Sequence, residues 1–214
     1  MEKTYPAPWT LSGKGYILLY RFSKPFVAKE ANVPEFLKGH YAGGFGALMM
    51  VDYSTSDAGP YGELLFIPGK FKHKGKKLNT ISKIYVSTMT SVENGRRNWG
   101  IPKELADFSF KSKKSGSEKV SISSGKDTIA KFTLKSGRLP FPVNTKLFPF
   151  PLVQYYEGKY YYTTFFGKGT GKFAKLKDVH INPKLFPDVS GFKPLFALKV
   201  EPFKIVFPEA TIVR

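Results

Sequence analysis

No cysteine occurs among the 214 residues. A disulfide framework, a thiolate metal site and a cysteine nucleophile are therefore excluded. Histidine is scarce: His40, His73 and His180 are far apart and lack metal-ligand spacing, so they support neither a metal centre nor a Ser-His-Asp order. His73 lies within a lysine run and is expected to face solvent. Long apolar runs are missing as well. No stretch approaches the roughly 18 apolar residues of a membrane span, and Met1 to Pro6 has no hydrophobic signal core. The expectation is a cytoplasmic protein with no membrane partner. Repeats and low-complexity tracts do not occur.

Acidic residues are also few, 16 against 34 lysines and arginines, for a formal net charge of +18. Such a field attracts polyanions and small anions alike. The lysines gather in Lys70 to Lys77 and Lys111 to Lys114, both with the signals of hairpin tips, while others alternate along strand-like runs. This pattern reads as a solvated basic face, compatible with steering of a carboxylate substrate. Nucleic acid is not an expected partner.

Present in quantity are 20 Phe, 12 Tyr, 20 Gly and 16 Pro, spread along the whole length with short apolar runs between them. That is the composition of a strand-rich architecture with many turns, its aromatics filling a barrel interior or an apolar ligand cavity. The length suits one domain over 1–214. Residues 1 to 15 read as irregular. Strands are expected over Tyr16 to Phe22, Ala47 to Tyr53, Leu64 to Ile67 and Ile81 to Thr88, with a short helix between Val27 and Lys38 interrupted at Pro34. Gly43-Gly44-Phe45-Gly46 reads as a tight turn and lacks the spacing of a dinucleotide site. Asn94-Gly95 marks a turn or a helix end. From Phe108 to Leu134 apolar and polar residues alternate as an antiparallel meander with one wet face. Arg138 to Pro151 reads as a non-helical lid or crossing segment, followed by a hairpin about Glu157-Gly158-Lys159 and closing strands over Phe173 to Ile181 and Pro194 to Val213.

Three segments carry more specific information. Gly95-Arg96 is followed after six residues by Lys103, with Pro102 directly before the lysine; Tyr61-Gly62-Glu63-Leu64-Leu65-Phe66 and Pro208-Glu209-Ala210-Thr211-Ile212 flank it in the chain. Together they resemble the acetoacetate decarboxylase superfamily, and residues from about Trp9 to the C-terminus can be laid along it in order. The resemblance implies a mainly β fold, an antiparallel barrel or cone enclosing a pocket. It implies Lys103 as Schiff-base nucleophile, Glu63 as proton shuttle or orienting acid, and Arg96 as carboxylate or structural anchor; in a cavity Arg96 would bind a substrate carboxylate or pair with Glu63, and otherwise it braces the turn through backbone carbonyls. Tyr61 and Trp99 are candidate lining residues, Trp99 more readily as packing.

An amine attacks a carbonyl only when unprotonated, and a free lysine, with a pKa of about 10.4, is almost wholly ammonium at neutral pH. Burial or a neighbouring cation lowers that value, the latter being the established device of acetoacetate decarboxylase itself. The sequence departs from the family here: Glu104 stands where the second lysine is expected. Lys14 is the nearest substitute for an arginine whose place falls on Gly13, and Leu48 occupies the place counted for a second acid. The resemblance implies a small keto acid or other carbonyl compound as substrate, no metal or organic cofactor, and a homo-oligomer. Decarboxylation, or an aldol, dehydration or cyclisation step through the same imine, is the expected chemistry. The alternative is a non-catalytic protein that holds an apolar or pigment-like ligand in the same cavity.

Overall fold

The computed structural model describes residues 3–147 and 149–214. In chain order its elements are β1 (Trp9–Tyr20), α1 (Lys24–Glu30), β2 (Tyr41–Gly43), β3 (Gly46–Thr55), β4 (Tyr61–Ile67), β5 (Lys70–His73), β6 (Lys76–Asn79), β7 (Lys83–Val86), α2 (Met89–Trp99), β8 (Lys103–Leu105), β9 (Asp107–Ser112), β10 (Ser117–Ser124), β11 (Asp127–Asn144), β12 (Pro151–Tyr156), β13 (Lys159–Thr164), β14 (Phe166–Ile181), β15 (Phe196–Phe207) and β16 (Thr211–Val213). Ten strands form one sheet in the order β8-β7-β4-β3-β1-β15-β14-β11-β10-β9, which curls into a half-barrel. Six more form a second sheet, β16-β13-β12-β6-β5-β2. The mainly β architecture expected from turn density and aromatic content is the one observed. Neighbours in the large sheet run antiparallel except β7 and β8, which are parallel.

Strand alternation divides the large sheet into two apolar faces. Tyr16, Leu18 and Tyr20 of β1, Leu48 and Met50 of β3, and Leu64 and Phe66 of β4 enter a filled core with Val120, Ile122 and Phe132 from the far strands. The odd-numbered neighbours, Leu11, Val51, Tyr53, Tyr61, Leu65 and Ile67, face the other way, towards Val92, Trp99 and Ile101 around α2. The second face is the one that is hollow.

Several local expectations change. β1 begins at Trp9, because Trp9 and Leu11 already alternate into the second core. Asn94-Gly95 lies inside α2 rather than at a turn. The Thr88 side chain caps that helix by accepting the Ser91 N–H, and Gly100, at φ 63°, ends it with an N–H donated to the Arg96 carbonyl. The short helix α1 starts earlier than expected, capped by Ser23 with Pro25 in its first turn, and Glu35–Leu37 adds a single 3-10 turn. Most of Arg138 to Pro151 is strand: β11 runs through Pro140 and Pro142, paired with Lys172 and Thr170 of β14. By then β11 has passed the end of β10 at Ser117, so among the described residues its other edge has no strand partner, and a missing N–H is tolerated. His73 is not a solvated residue of a lysine run. Its Nε2 lies 3.0 Å from the Tyr162 hydroxyl, with the Phe36 and Tyr160 rings against it.

Candidate active site

Parallel pairing of β8 with β7 sets Lys103 beside Ile84, and antiparallel pairing of β7 with β4 sets Val86 beside Glu63. The two side chains therefore meet across β7 on the hollow face. Lys103 is 3% exposed and Glu63 4%. The Lys103 ammonium donates to Glu63 Oε2 at 3.1 Å, to Ser91 Oγ at 3.0 Å and to the Tyr61 hydroxyl at 3.4 Å. Tyr53 donates to Glu63 Oε1 at 3.1 Å, so both carboxylate oxygens and all three ammonium protons have partners. Tyr53 and Tyr61 pack against each other at 4.7 Å, and the ammonium lies 5.0 Å from the centre of the Tyr61 ring. Burial, followed by the Glu63 charge, pushes both phenols well above their ordinary pKa. Both are therefore neutral hydroxyls.

Local sequence explains why Lys103 reaches this point. A β-carbon at Gly95 would sit 2.6 Å from Lys103 Cδ and 2.8 Å from Cε, so the lysine side chain passes the helix through the space glycine leaves. Arg96, the next residue, donates to the Lys103 carbonyl at 2.6 Å and ties α2 to β8. Of the roles expected for Arg96, namely binding a substrate carboxylate, pairing with Glu63 and bracing backbone carbonyls, this contact is of the bracing kind. It does not line the cavity.

That cavity measures about 100 Å³ and spans the hollow face from β8 to β11. Glu63, Lys103, Tyr53 and Tyr61 form its polar end, and most of the remaining wall is Ile, Leu, Val, Met, Phe and Trp. Trp99 contributes to the wall. Its Nε1 is bonded to the Pro208 carbonyl at 2.7 Å and its ring packs edge-on against Trp9 at 5.0 Å, so packing describes it better than ligand contact.

Three expected site residues lie elsewhere. Lys14 is on the opposite face of β1, 3.2 Å from Glu118 and 3.8 Å from Asp52. Leu48 is fully buried in the filled core; the cavity-facing residues of β3 are Met49, Val51 and Tyr53, and none is an acid. Glu104 alternates outward from Lys103 and pairs with Lys83 at 2.6 Å. Two residues of the cluster escape the sequence reading. Tyr53 was legible in principle, standing opposite Tyr61 in the β3–β4 register. Ser91 was hidden by the unrecognised helix, although Thr88 three residues before it is a capping signal. Among the described residues, no three His, Asp or Glu side chains converge as metal ligands.

A family model described as acetoacetate decarboxylase (ADC) matches residues 2–163. The chain belongs to that family. Among solved structures, it is similar to an acetoacetate decarboxylase from Legionella pneumophila subsp. pneumophila str. Philadelphia 1, with TM-score 0.75 and 15% identity, covering 100% of this chain and 90% of that one. It is also similar to the enduracididine biosynthesis enzyme MppR complexed with pyruvate, with TM-score 0.65 and 14% identity over 97% of this chain and 90% of that one. An acetoacetate decarboxylase-like enzyme from Sphingomonas wittichii RW1 aligns with TM-score 0.65 and 12% identity, over 97% of this chain and 93% of that one. At such identities the likeness is one of fold. No curated protein matches the sequence.

Proposed function

We propose that this protein is a Schiff-base-forming enzyme that acts on a small carbonyl compound through Lys103. The observation that supports it most is the buried ammonium, held 3.1 Å from Glu63 at the end of an apolar cavity. The Lys103 ammonium passes a proton to Glu63, and the free amine adds to the carbonyl carbon. The neutral Tyr61 hydroxyl, 3.4 Å from Nζ, is positioned to donate to the developing alkoxide. Glu63 returns its proton to the carbinolamine hydroxyl, which leaves as water, so that an iminium and an ionised Glu63 remain. Glu63 then accepts a proton from the adjacent carbon, and the C–H electron pair becomes the enamine double bond. Tyr53 fixes the carboxylate for both transfers, and Ser91 fixes the ammonium.

Decarboxylation draws less support than imine formation. The second cation of the decarboxylases is replaced by Glu104, which faces away and pairs with Lys83. The second reading, a binding protein for an apolar ligand, is favoured by the apolar wall of the cavity. Intact mass after borohydride reduction, with a panel of ketones and keto acids, separates the two. We expect a mass gain that disappears in Lys103→Ala. An unmodified mass across the panel, or an adduct that survives the substitution, would overturn the imine mechanism.

A homo-oligomer is proposed with it. The family resemblance is joined by exposed apolar residues on the β11–β14 arm, where Leu139 is open and Phe141 and Phe173 pack at 5.0 Å.

A further inference from the structure

We infer that the carbonyl compound taken by this cavity is uncharged and hydrocarbon-like, a ketone or aldehyde with an apolar chain, and not a keto acid. The inference rests on the Schiff-base reading and names its substrate class. A carboxylate taken out of water needs a cation or several donors to replace its hydration. The wall has none to spare. Among the described residues, Lys103 is the one cation at the polar end, and Glu63 already neutralises it. The Arg96 guanidinium is bonded to the Lys103 carbonyl outside the cavity, and Lys14 is on the opposite face of the sheet with Glu118 and Asp52.

Lys168 borders the cavity, but it is exposed, and its neighbours Gly167 and Gly169 are the residues of β14 that face Ile205 and Phe203 of the wall. A second carboxylate would in addition lie in one small cavity with Glu63, where like charges repel with little water between them. The rest of the wall is mostly hydrocarbon, including Ile17, Met49, Val51, Leu65, Ile81 and Phe203; the Tyr16 hydroxyl donates to Glu118 and the Thr145 hydroxyl accepts the Gly167 N–H. The net charge of +18 gathers anions at the outer surface, and the interior provides no place for one.

With such a ligand the balance is closed without a co-reactant. The Lys103 nitrogen bonds to the carbonyl carbon and water leaves. A proton moves from the α-carbon to Glu63, its electron pair forming the enamine, and reprotonation from Glu63 reverses the step. In deuterium oxide Glu63 exchanges with solvent, so the α-position acquires deuterium.

Calorimetric titration of the full chain with 2-butanone, 2-pentanone and 2-hexanone, and with pyruvate and acetoacetate, tests the inference. Borohydride trapping and α-deuteration are measured on the same compounds. Affinity is expected to rise about fourfold per methylene until the cavity is full. Trapping and exchange should follow that ladder, and acetoacetate should bind at least ~100-fold more weakly than 2-pentanone, which has similar size without the charge. Acetoacetate or pyruvate binding and trapping as well as 2-pentanone would overturn the substrate class and leave the imine mechanism standing. Ketones that bind along the ladder yet give no adduct and no exchange would uphold the class and defeat the mechanism. Failure of every ketone to bind would overturn both.

Discussion

Glu118 and Glu63 are both buried, both ion-paired with a lysine and both hydrogen-bonded by a tyrosine, yet they stand at different faces of one sheet. Glu118 sits at the rim of the filled core. One oxygen accepts from Lys14 at 3.2 Å, the other accepts from Tyr16 at 2.9 Å, and Lys199 lies 3.6 Å away. Burial would raise its pKa, but the hydrogen bonds from Tyr16 and Lys14 and the charges of Lys14 and Lys199 outweigh it and hold the carboxyl below its ordinary value. For Lys14 burial would lower the pKa, but the bond to Glu118 and the surrounding carboxylates outweigh it and leave the ammonium raised. This cluster links β1, β10 and β15, and Glu118 itself does not line the apolar cavity. Glu63 has equally complete partners, but one side of its pair opens on the apolar cavity. The same chemistry thus forms a structural link where it is surrounded by donors, and in the proposed mechanism forms the reactive group where it borders a cavity.

The largest expected effect separates the two by removing a cation. Lys103→Met leaves Glu63 buried with Tyr53 alone, and should cost about 3–5 kcal/mol in urea unfolding as well as all adduct formation. Adding Glu63→Gln to the same chain should restore most of the stability and none of the chemistry. A loss below about 1 kcal/mol in the single variant would mean that Glu63 and Lys103 are not an interdependent buried pair.

A smaller effect belongs to Glu118→Gln, about 1–3 kcal/mol at neutral pH, with borohydride trapping unchanged. Because the folded state holds Glu118 below its ordinary value of 4.5, its contribution is present above that value and is lost as pH falls through the lower folded value. The stability difference between the two chains, followed by urea unfolding from neutral to acidic pH, should therefore shrink in acid. A constant difference, or one that grows, would count against the ionised link. The smallest change is Gly95→Ala. The added methyl intrudes on the path of the Lys103 side chain, so adduct formation should slow about tenfold, which corresponds to about 1.4 kcal/mol. The unfolding free energy should move by less than about 1 kcal/mol, since alanine favours the helix. An unchanged trapping rate would show that the lysine does not need that passage.

Lys103, Glu63 and Tyr61, which line the cavity, were picked out by the resemblance of their segments to the acetoacetate decarboxylase superfamily; the residues alone left Glu63 open between a surface charge and a cavity carboxylate. Leu48 shows the limit of counting along a strand: an offset of one residue turns a cavity position into a core position. Lys14 sits on a strand whose register shifts at Gly13, which the spacing does not reveal. The helix α2 escaped notice for a different reason. Its buried side includes Ser91, Asn94 and Gly95, so hydrophobic periodicity is nearly silent there, although Gly95 makes room for the lysine and Ser91 accepts from it. The long strands β11 and β14 were obscured by proline and glycine, which an unpartnered edge and close strand packing accommodate.

Lys103 belongs to a strand of three residues that ends the large sheet, bonded to β7 along one edge and to Arg96 across the other. Short terminal strands open at lower free energy than the centre of a sheet. The proposed nucleophile is therefore mounted on a short edge strand of the half-barrel, where opening costs least. Thermal breathing of β8 would draw the amine away from Glu63 while the filled core stays shut, so catalytic competence and global foldedness are separable properties of this molecule.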